Sequence, residues 1–300
     1  MFHNAVVGVD GGESDRDAIA LARVLLSQSG SLGLAHVHGG DPRMRVVSPD
    51  IAGAERARSK ELLESVRSRE QIDALLLSTG SLSVGRGLHE IVERHGADLL
   101  VVGSHSRSLL GRVMVSDHLG DALNGIPSAI AIAPGGYADR PPVTHEIGVG
   151  YDGSPESEHA LAVAIELAKE LGTKVSAFEA VSLPLGHRGD SATIERLVED
   201  ARARIAAVGD VEPHAAFGHA AEELALYGAS LDLLVIGSRG YGPISRFVHG
   251  STSRHLARIA RCPLLVLTRA AQAGEELPVA EPGEQRHAVA GTGSSPPDAP

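Results

Sequence analysis

Two blocks of this sequence occur twice, in the same order, and that repetition constrains the fold more than any other feature. Val7-Gly8-Val9-Asp10-Gly11 returns as Val149-Gly150-Tyr151-Asp152-Gly153, and Ala97-Asp98-Leu99-Leu100-Val101-Val102-Gly103-Ser104 returns as Leu231-Asp232-Leu233-Leu234-Val235-Ile236-Gly237-Ser238. Matching blocks in matching order indicate an internal duplication. Each copy alternates short apolar runs with helical patterns, such as Ala18, Ile19, Ala22, Leu25, Leu26 in the first and Ala160, Leu161, Ala164, Leu167, Ala168 in the second. Strands are expected near 4–9, 32–37, 72–77, 98–102 and 128–133, then near 145–151, 174–180, 211–217, 232–236 and 263–267. Strand–helix alternation at this spacing builds βαβ units around a parallel sheet covered on both faces. The expected fold class is therefore α/β: two tandem doubly wound domains, each a five-stranded, mostly parallel sheet with helices on both faces. Their expected spans are 1–136 and 143–269, with Pro134–Val143 carrying the Gly and Pro of a linker. Residues 270–300 hold Glu275, Glu276, Glu281, Glu284 and Asp298 against Arg286 among Ala, Gly, Pro and Ser, and read as a disordered acidic tail.

Open sheets of this kind bind ligands at the carboxyl ends of their strands, where the strand order reverses. One such end opens Gly237-Ser-Arg-Gly240-Tyr-Gly-Pro-Ile-Ser-Arg-Phe-Val-His-Gly250-Ser251-Thr252, which follows an apolar strand and precedes the helical pattern Ser253–Ala260. Glycines let backbone approach an anion, and the free N–H groups and dipole of a helix start attract it. The spacing G-x2-G-x9-G-S is neither a Walker A loop nor the G-x-G-x-x-G dinucleotide fingerprint.

It resembles the nucleotide-binding loop of the universal stress protein family, and the resemblance spans nearly all of residues 1–269, as a tandem member of that family. The resemblance implies the adenine nucleotide alpha hydrolase-like fold and ATP, alone or with Mg²⁺, as ligand. It places phosphate contacts on Gly237, Gly240, Gly250, Ser251 and Thr252, and sets Asp152 beside the nucleoside with the Gly150 and Tyr151 backbone nearby. The adenine contact at the end of the second strand maps to Ala180, a register open by one residue because the halves need a gap near the first helix. Arg239 lies inside the loop and is a candidate for pairing with phosphate oxygens; Arg246 and Arg254 read as solvated charges.

The first half keeps only the first glycine. Gly103-Ser-His-Ser106-Arg-Ser-Leu-Leu-Gly-Arg-Val-Met-Val-Ser116-Asp117 has Ser106 at the second glycine position. Ungapped counting places Ser116 and Asp117 opposite Gly250 and Ser251, and counting back from Pro127 and Pro263 places Met114 and Val115 there. A Cβ hinders close approach, and Asp117 faces phosphate charge. The expectation is one intact site in the second half and a degenerate copy in the first. Asp10-Gly-Gly-Glu-Ser-Asp15 only faintly resembles the S-G-G-x-D-S loop of ATP pyrophosphatases, since Asp10 stands in place of Ser. The histidines form no H-E-x-x-H or Cys-paired metal pattern, and Cys262, before Pro263, reads as buried rather than reactive. No catalytic residue is assigned.

A formal charge of −11 argues against a general nucleic-acid binder, and the absence of Trp, with four Tyr and four Phe, leaves few platforms for stacking bases. The single cysteine rules out an intrachain disulfide framework and suits a reducing cytosol. No leader is expected at the start, where Asn4–Asp10 already reads as a strand, and no apolar run is long enough for a membrane span. A cytoplasmic protein is expected. The functional expectation is an ATP-binding stress-response regulator that signals to an unidentified protein partner. The two apolar last strands would be sheet edges, through which the halves form an internal pseudo-dimer or two chains associate as a homo-oligomer. A slow ATPase is the alternative reading, with Asp152 the one carboxylate placed near the site; a structural or chaperone-like module with an empty site is a further one.

Overall fold

The computed structural model of the chain describes residues 1–39, 49–104, 126–140, 144–183, 189–238 and 251–268. Its strands are β1 Phe2–Gly8, β2 Leu26–His38, β3 Leu75–Gly80, β4 Leu99–Gly103, β5 Ala129–Ala133, β6 Glu146–Gly150, β7 Lys174–Val181, β8 Glu212–Phe217, β9 Leu233–Ser238 and β10 Leu264–Thr268. The helices among the described residues are α1 Ser14–Leu25, α2 Pro49–Glu70, α3 Val84–His95, α4 Pro155–Leu171, α5 Ser191–Ala206, α6 Ala220–Gly228 and α7 Ser251–Ile259.

The strands form one ten-stranded sheet in the order β3-β2-β1-β4-β5-β10-β9-β6-β7-β8. Pairing is parallel within each half and antiparallel only between β5 and β10, where Leu264, Leu265 and Val266 face Ile132, Ala131 and Ile130. The last strands expected at sheet edges thus end their own half-sheets and close on each other. Because β5 and β10 run in opposite directions, the carboxyl ends of the two half-sheets open on opposite rims.

Apolar side chains cover both faces. Ile19, Leu21 and Leu25 of α1 and Leu161 and Leu167 of α4 fill one side, in a core that also holds Ala131 and Leu265 at the seam. Leu88 and Ile91 of α3, Leu224 of α6 and Leu256 of α7 fill the other. The repeated Ala-Asp/Leu-Asp start of β4 and β9 has a structural reason. Asp98 accepts hydrogen bonds from the His3 and Asn4 N–H groups at 2.7 and 2.9 Å, and Asp232 accepts from the His145 and Glu146 N–H groups at 2.7 and 3.0 Å. Each carboxylate fixes the entry of its half's first strand, with charge-assisted bonds to backbone that the neighbouring strand leaves open.

Three details differ from the sequence reading. β2 begins at Leu26, directly after α1, and its register against β1 jumps between Phe2↔Leu26 and Asn4↔Ser31. The polar Gln28-Ser-Gly-Ser31 stretch shows no strand alternation, and β1 meets this part of β2 only at Leu26 and Ser31, on either side of the register jump. β3 runs later than expected because Ser78, Thr79 and Gly80 pair with His36, Val37 and His38 of β2. The linker is held rather than loose over its described part: Tyr137–Asp139 form a 3-10 turn, Asp17 accepts from the Gly136 and Ala138 N–H groups at 2.9 and 2.8 Å, and Arg16 pairs with Asp139 at 2.7 Å. The tail expected from residue 270 lies outside the described residues.

The seam is a packed core, which mutation can test. Leu265→Ala should cost about 2–5 kcal/mol in urea unfolding, the usual range for a fully buried leucine; an unchanged midpoint would show that the seam is not load-sharing core.

Candidate functional site

In the second half, β7 and β8 extend the sheet to one side of β6, and β9 and β10 extend it to the other. The strand order therefore reverses between β6 and β9, the place where open α/β sheets leave a crevice. Gly150 pairs with Ile236, so Tyr151 and Asp152 emerge beside Gly237 and Ser238. On the next strand Ala180 is half-buried near the end of β7, and Tyr151 N–H donates to the Phe178 carbonyl at 2.9 Å, tying the two strand ends together. Ser251 opens α7 and Thr252 follows it, half-buried in the first turn. The structure thus brings Gly150, Tyr151, Asp152 and Gly237 to one rim, with Ala180 one strand away. Arg239, Gly240, Gly250 and the first-half loop 105–117 lie outside the described residues, as does Arg246.

The first glycine of the loop has a role that spacing did not show. A Cβ on Gly237 would fall on the backbone of Glu156 in the first turn of α4. A Cβ on Gly103 would lie 2.6 Å from Ser14 Cβ and 2.7 Å from its carbonyl oxygen in the first turn of α1. Both glycines let a helix start close onto a strand end, and this explains why the degenerate half keeps Gly103 after losing the other loop glycines. Gly150 is also confined, with Ile236 Cγ2 at 3.0 Å from the position of an added Cβ. Gly103→Ala and Gly237→Ala should each lower stability by about 1–3 kcal/mol, the cost of overpacking, measured by thermal unfolding; tolerance of either would remove the packing explanation for that half.

The turn after the first strand differs chemically between the halves. In the second, Asp152 is exposed, and its Oδ1 accepts from the Ser154 N–H at 3.0 Å and from the Ser154 hydroxyl. Ser154 also caps α4, accepting from Ser157 N–H at 3.3 Å, with Pro155 preset for the first helical position. Ser157 Oγ accepts from the Asp152 N–H at 3.3 Å and donates to the Ser154 carbonyl at 2.9 Å. The turn is bound by two serine hydroxyls and the exposed Asp152 carboxylate.

In the first half Asp15 stands where Ser157 does. It is 2% exposed, and its carboxylate accepts from the Asp10 and Gly11 N–H groups at 3.0 and 2.8 Å. Asp10 in turn accepts from the Gly12 N–H at 2.8 Å, and Arg69 of α2 approaches Asp15 at 3.8 Å. Burial pushes the Asp15 carboxyl from its ordinary 3.8 up to about 7; the backbone N–H from Asp10 pulls it back, the Asp10 charge adds to the rise, and the Gly11 N–H and Arg69 oppose it. Sequence reasoning passed over Asp15, although matching Asp10 to Asp152 and counting forward would have set it against Ser157. Between pH 4 and 7 the folded chain holds a proton on Asp15 that the unfolded chain has released, so this group's contribution is full below pH 4 and is lost as pH rises through 7. Asp15→Ser should therefore lose less stability than the parent between pH 5 and 8, by roughly 1.4 kcal/mol per unit of pKa separation traversed. Parallel unfolding curves for the two proteins at both pH values would contradict this.

Other titratable groups behave as interior residues. The His36 imidazole is held below its usual range, first by burial and then by His38, and its Nδ1 lies 2.8 Å from Ser59 Oγ on α2. Cys262 is buried and its thiol is pushed up to about 11 by burial, in keeping with a packing role. Among the described residues no cluster of three or more His, Cys, Asp or Glu could hold a metal ion, and no helix is long and apolar enough to cross a membrane.

Comparison with known proteins gives a consistent picture. The sequence model of the universal stress protein family matches residues 1–134 and again residues 144–268. A universal stress protein of Mycobacterium tuberculosis is 28% identical, the alignment covering 88% of this chain and 96% of that protein. A Thermus aquaticus universal stress protein is 33% identical over 130 residues, 40% of this chain and 95% of its own length. Among solved structures, a universal stress protein from Archaeoglobus fulgidus superposes with a TM-score of 0.61 at 15% identity, covering 88% of this chain and 96% of that one. A universal stress protein from Pseudomonas aeruginosa superposes with a TM-score of 0.58 at 16% identity, covering 92% and 98%. At those identities the structures speak for the fold alone.

Proposed function

The chain belongs to the universal stress protein family, as a tandem member, and from that premise we propose that it is a nucleotide-responsive stress regulator with one adenine-nucleotide site, in its second half. The observation that carries this reading is the convergence at the β6–β9 reversal. There the exposed Asp152 turn and the Gly237 strand end stand side by side, and the G-x2-G-x9-G-S segment connects that strand end to the first turn of α7. The crevice suits a nucleoside near Tyr151, Asp152 and Ala180, with phosphates toward Gly240, Gly250, Ser251 and Thr252 and the amino end of α7. Arg239 would add charge at the phosphate end. ATP, alone or with Mg²⁺, is the ligand proposed.

The regulatory role follows from linkage: a nucleotide shifts this protein between states only through different affinities for them, and the state it favours is what a partner protein or a second copy of the chain would read. Hydrolysis is not part of the proposal. Asp152 spends an oxygen on Ser154 N–H and Oγ, which suits a turn-building residue better than a free base.

Thermal unfolding with and without ATP tests this. At ATP about 100-fold above its Kd the chain should gain about 2.7 kcal/mol, a midpoint shift of roughly 5–10 °C. Gly240→Asp combined with Gly250→Asp should abolish the shift without lowering the ligand-free midpoint. Absence of any shift in the parent, with or without Mg²⁺, would overturn the nucleotide reading.

A further inference from the structure

Glu179 lies one residue before Ala180 on β7, and its two carboxylate oxygens have different fates. Oε1 accepts from Arg204 Nη2 of α5 at 2.6 Å. Oε2 is closed off from solvent and has no hydrogen-bond partner among the described residues, on a side chain only 12% exposed. A buried carboxylate oxygen without a donor is costly, and native folds seldom keep one without a use. The first half supplies the comparison. Gly8 pairs with Ala35 and Gly150 with Phe178, so the residues that follow, His36 and Glu179, hold equivalent places. His36 meets Ser59 of its own chain at 2.8 Å, whereas Glu179 keeps one acceptor unmatched.

We propose that Glu179 is a specificity residue of the second-half site, its Oε2 accepting a hydrogen bond from a ribose hydroxyl of the bound nucleotide; this rests on the adenine-nucleotide reading above. A carboxylate is acceptor-only and repels phosphate, so its place is at the sugar end of a nucleotide. Its position agrees. Glu179 follows Phe178, whose carbonyl takes the Tyr151 N–H, so it flanks the end of β6 on the side away from β9 and the phosphate loop. The half-sheet order β8-β7-β6-β9-β10 is third, second, first, fourth, fifth in chain order. In dinucleotide-binding sheets of that order, whose phosphate loop follows the first strand, an acidic residue about 20 residues on accepts from the ribose; here the glycine loop follows the fourth strand, so that case is an analogy for the chemistry and not for the position. Tyr151 feels the charge of the same group: burial, then the charges of Glu158, Glu179 and Asp152, raise its phenol above the ordinary range, and Arg204 opposes them. Admitting the hydroxyl asks for a small turn of the soft terminal torsion of the glutamate. Arg204 would remain on Oε1 and keep the carboxylate aimed.

The test is equilibrium binding of ATP, 2′-deoxy-ATP and 2′,3′-dideoxy-ATP to the full chain and to Glu179→Met and Glu179→Ala. The parent should prefer ATP over the dideoxy analogue by about tenfold or more, the usual worth of a hydrogen bond to a charged group. Both variants should bring that ratio close to one by weakening ATP and leaving the dideoxy analogue nearly unchanged. Equal binding of all three nucleotides by the parent overturns the role of Glu179 and leaves the nucleotide site standing. Discrimination that survives in the variants also overturns it, and assigns Glu179 to holding α5 through Arg204 alone. Failure of the parent to bind any of the three removes the nucleotide reading and this inference with it. The parent comparison needs no variant, so poor folding of a substitution does not shield the proposal.

Discussion

The antiparallel pairing of β5 with β10 is the constraint on which the rest of this molecule depends. Each half ends in an apolar strand whose outer backbone groups would otherwise lie open at a sheet edge, and an open apolar edge is a template for unwanted pairing. Closing the two edges on each other satisfies both and merges the half-sheets into one sheet with a core that crosses the seam. Opposed strand directions at the seam also send the two reversal points to opposite rims. The crevices therefore cannot share a ligand, and each must succeed or fail on its own residues.

That separation turns the duplication into an internal experiment. What both halves retain is architecture: Asp98 and Asp232 gripping the first strand's entry, Gly103 and Gly237 admitting a helix start against a strand end. What differs is chemistry at the rim. Ser157 gives way to the buried carboxylate of Asp15, Glu179 with its unmatched oxygen gives way to His36 satisfied by Ser59, and the loop glycines survive in one copy only. The first half also commits the first turn of α1 to its own structure, with Asp15 on the strand turn, Asp17 on the linker backbone and Arg16 on Asp139. At its rim the carboxylates of Asp15 and Asp10 accept from the N–H groups of their own turn.

Strand positions, domain duplication and fold class were legible because buried parallel strands leave continuous apolar runs and glycine-punctuated ends. Leu231–Ile236 could be placed as a strand from such a run alone. The early start of β2 was not legible, since only Leu26 and Ser31 meet β1 there and the polar residues between them carry no pattern of their own. The held linker was likewise hidden, because Asp17 reaches Gly136 and Ala138 across more than a hundred residues of sequence. At the site, the family resemblance assigned Gly237 to phosphate alone, when helix packing already demands it. Asp15, named only as the end of a faintly pyrophosphatase-like stretch, and Glu179, not singled out at all, had roles hidden for a common reason. A carboxylate's role depends on burial and on which donors reach it, and neither can be read from residue type.

One working nucleotide site in a fold written twice is the arrangement proposed. Calorimetric titration of the full chain with ATP measures this directly as a stoichiometry. One nucleotide bound per chain, in a single phase, is the predicted result. Two equivalent sites would contradict the reading of the first half as a degenerate copy, and no binding would contradict the proposal altogether.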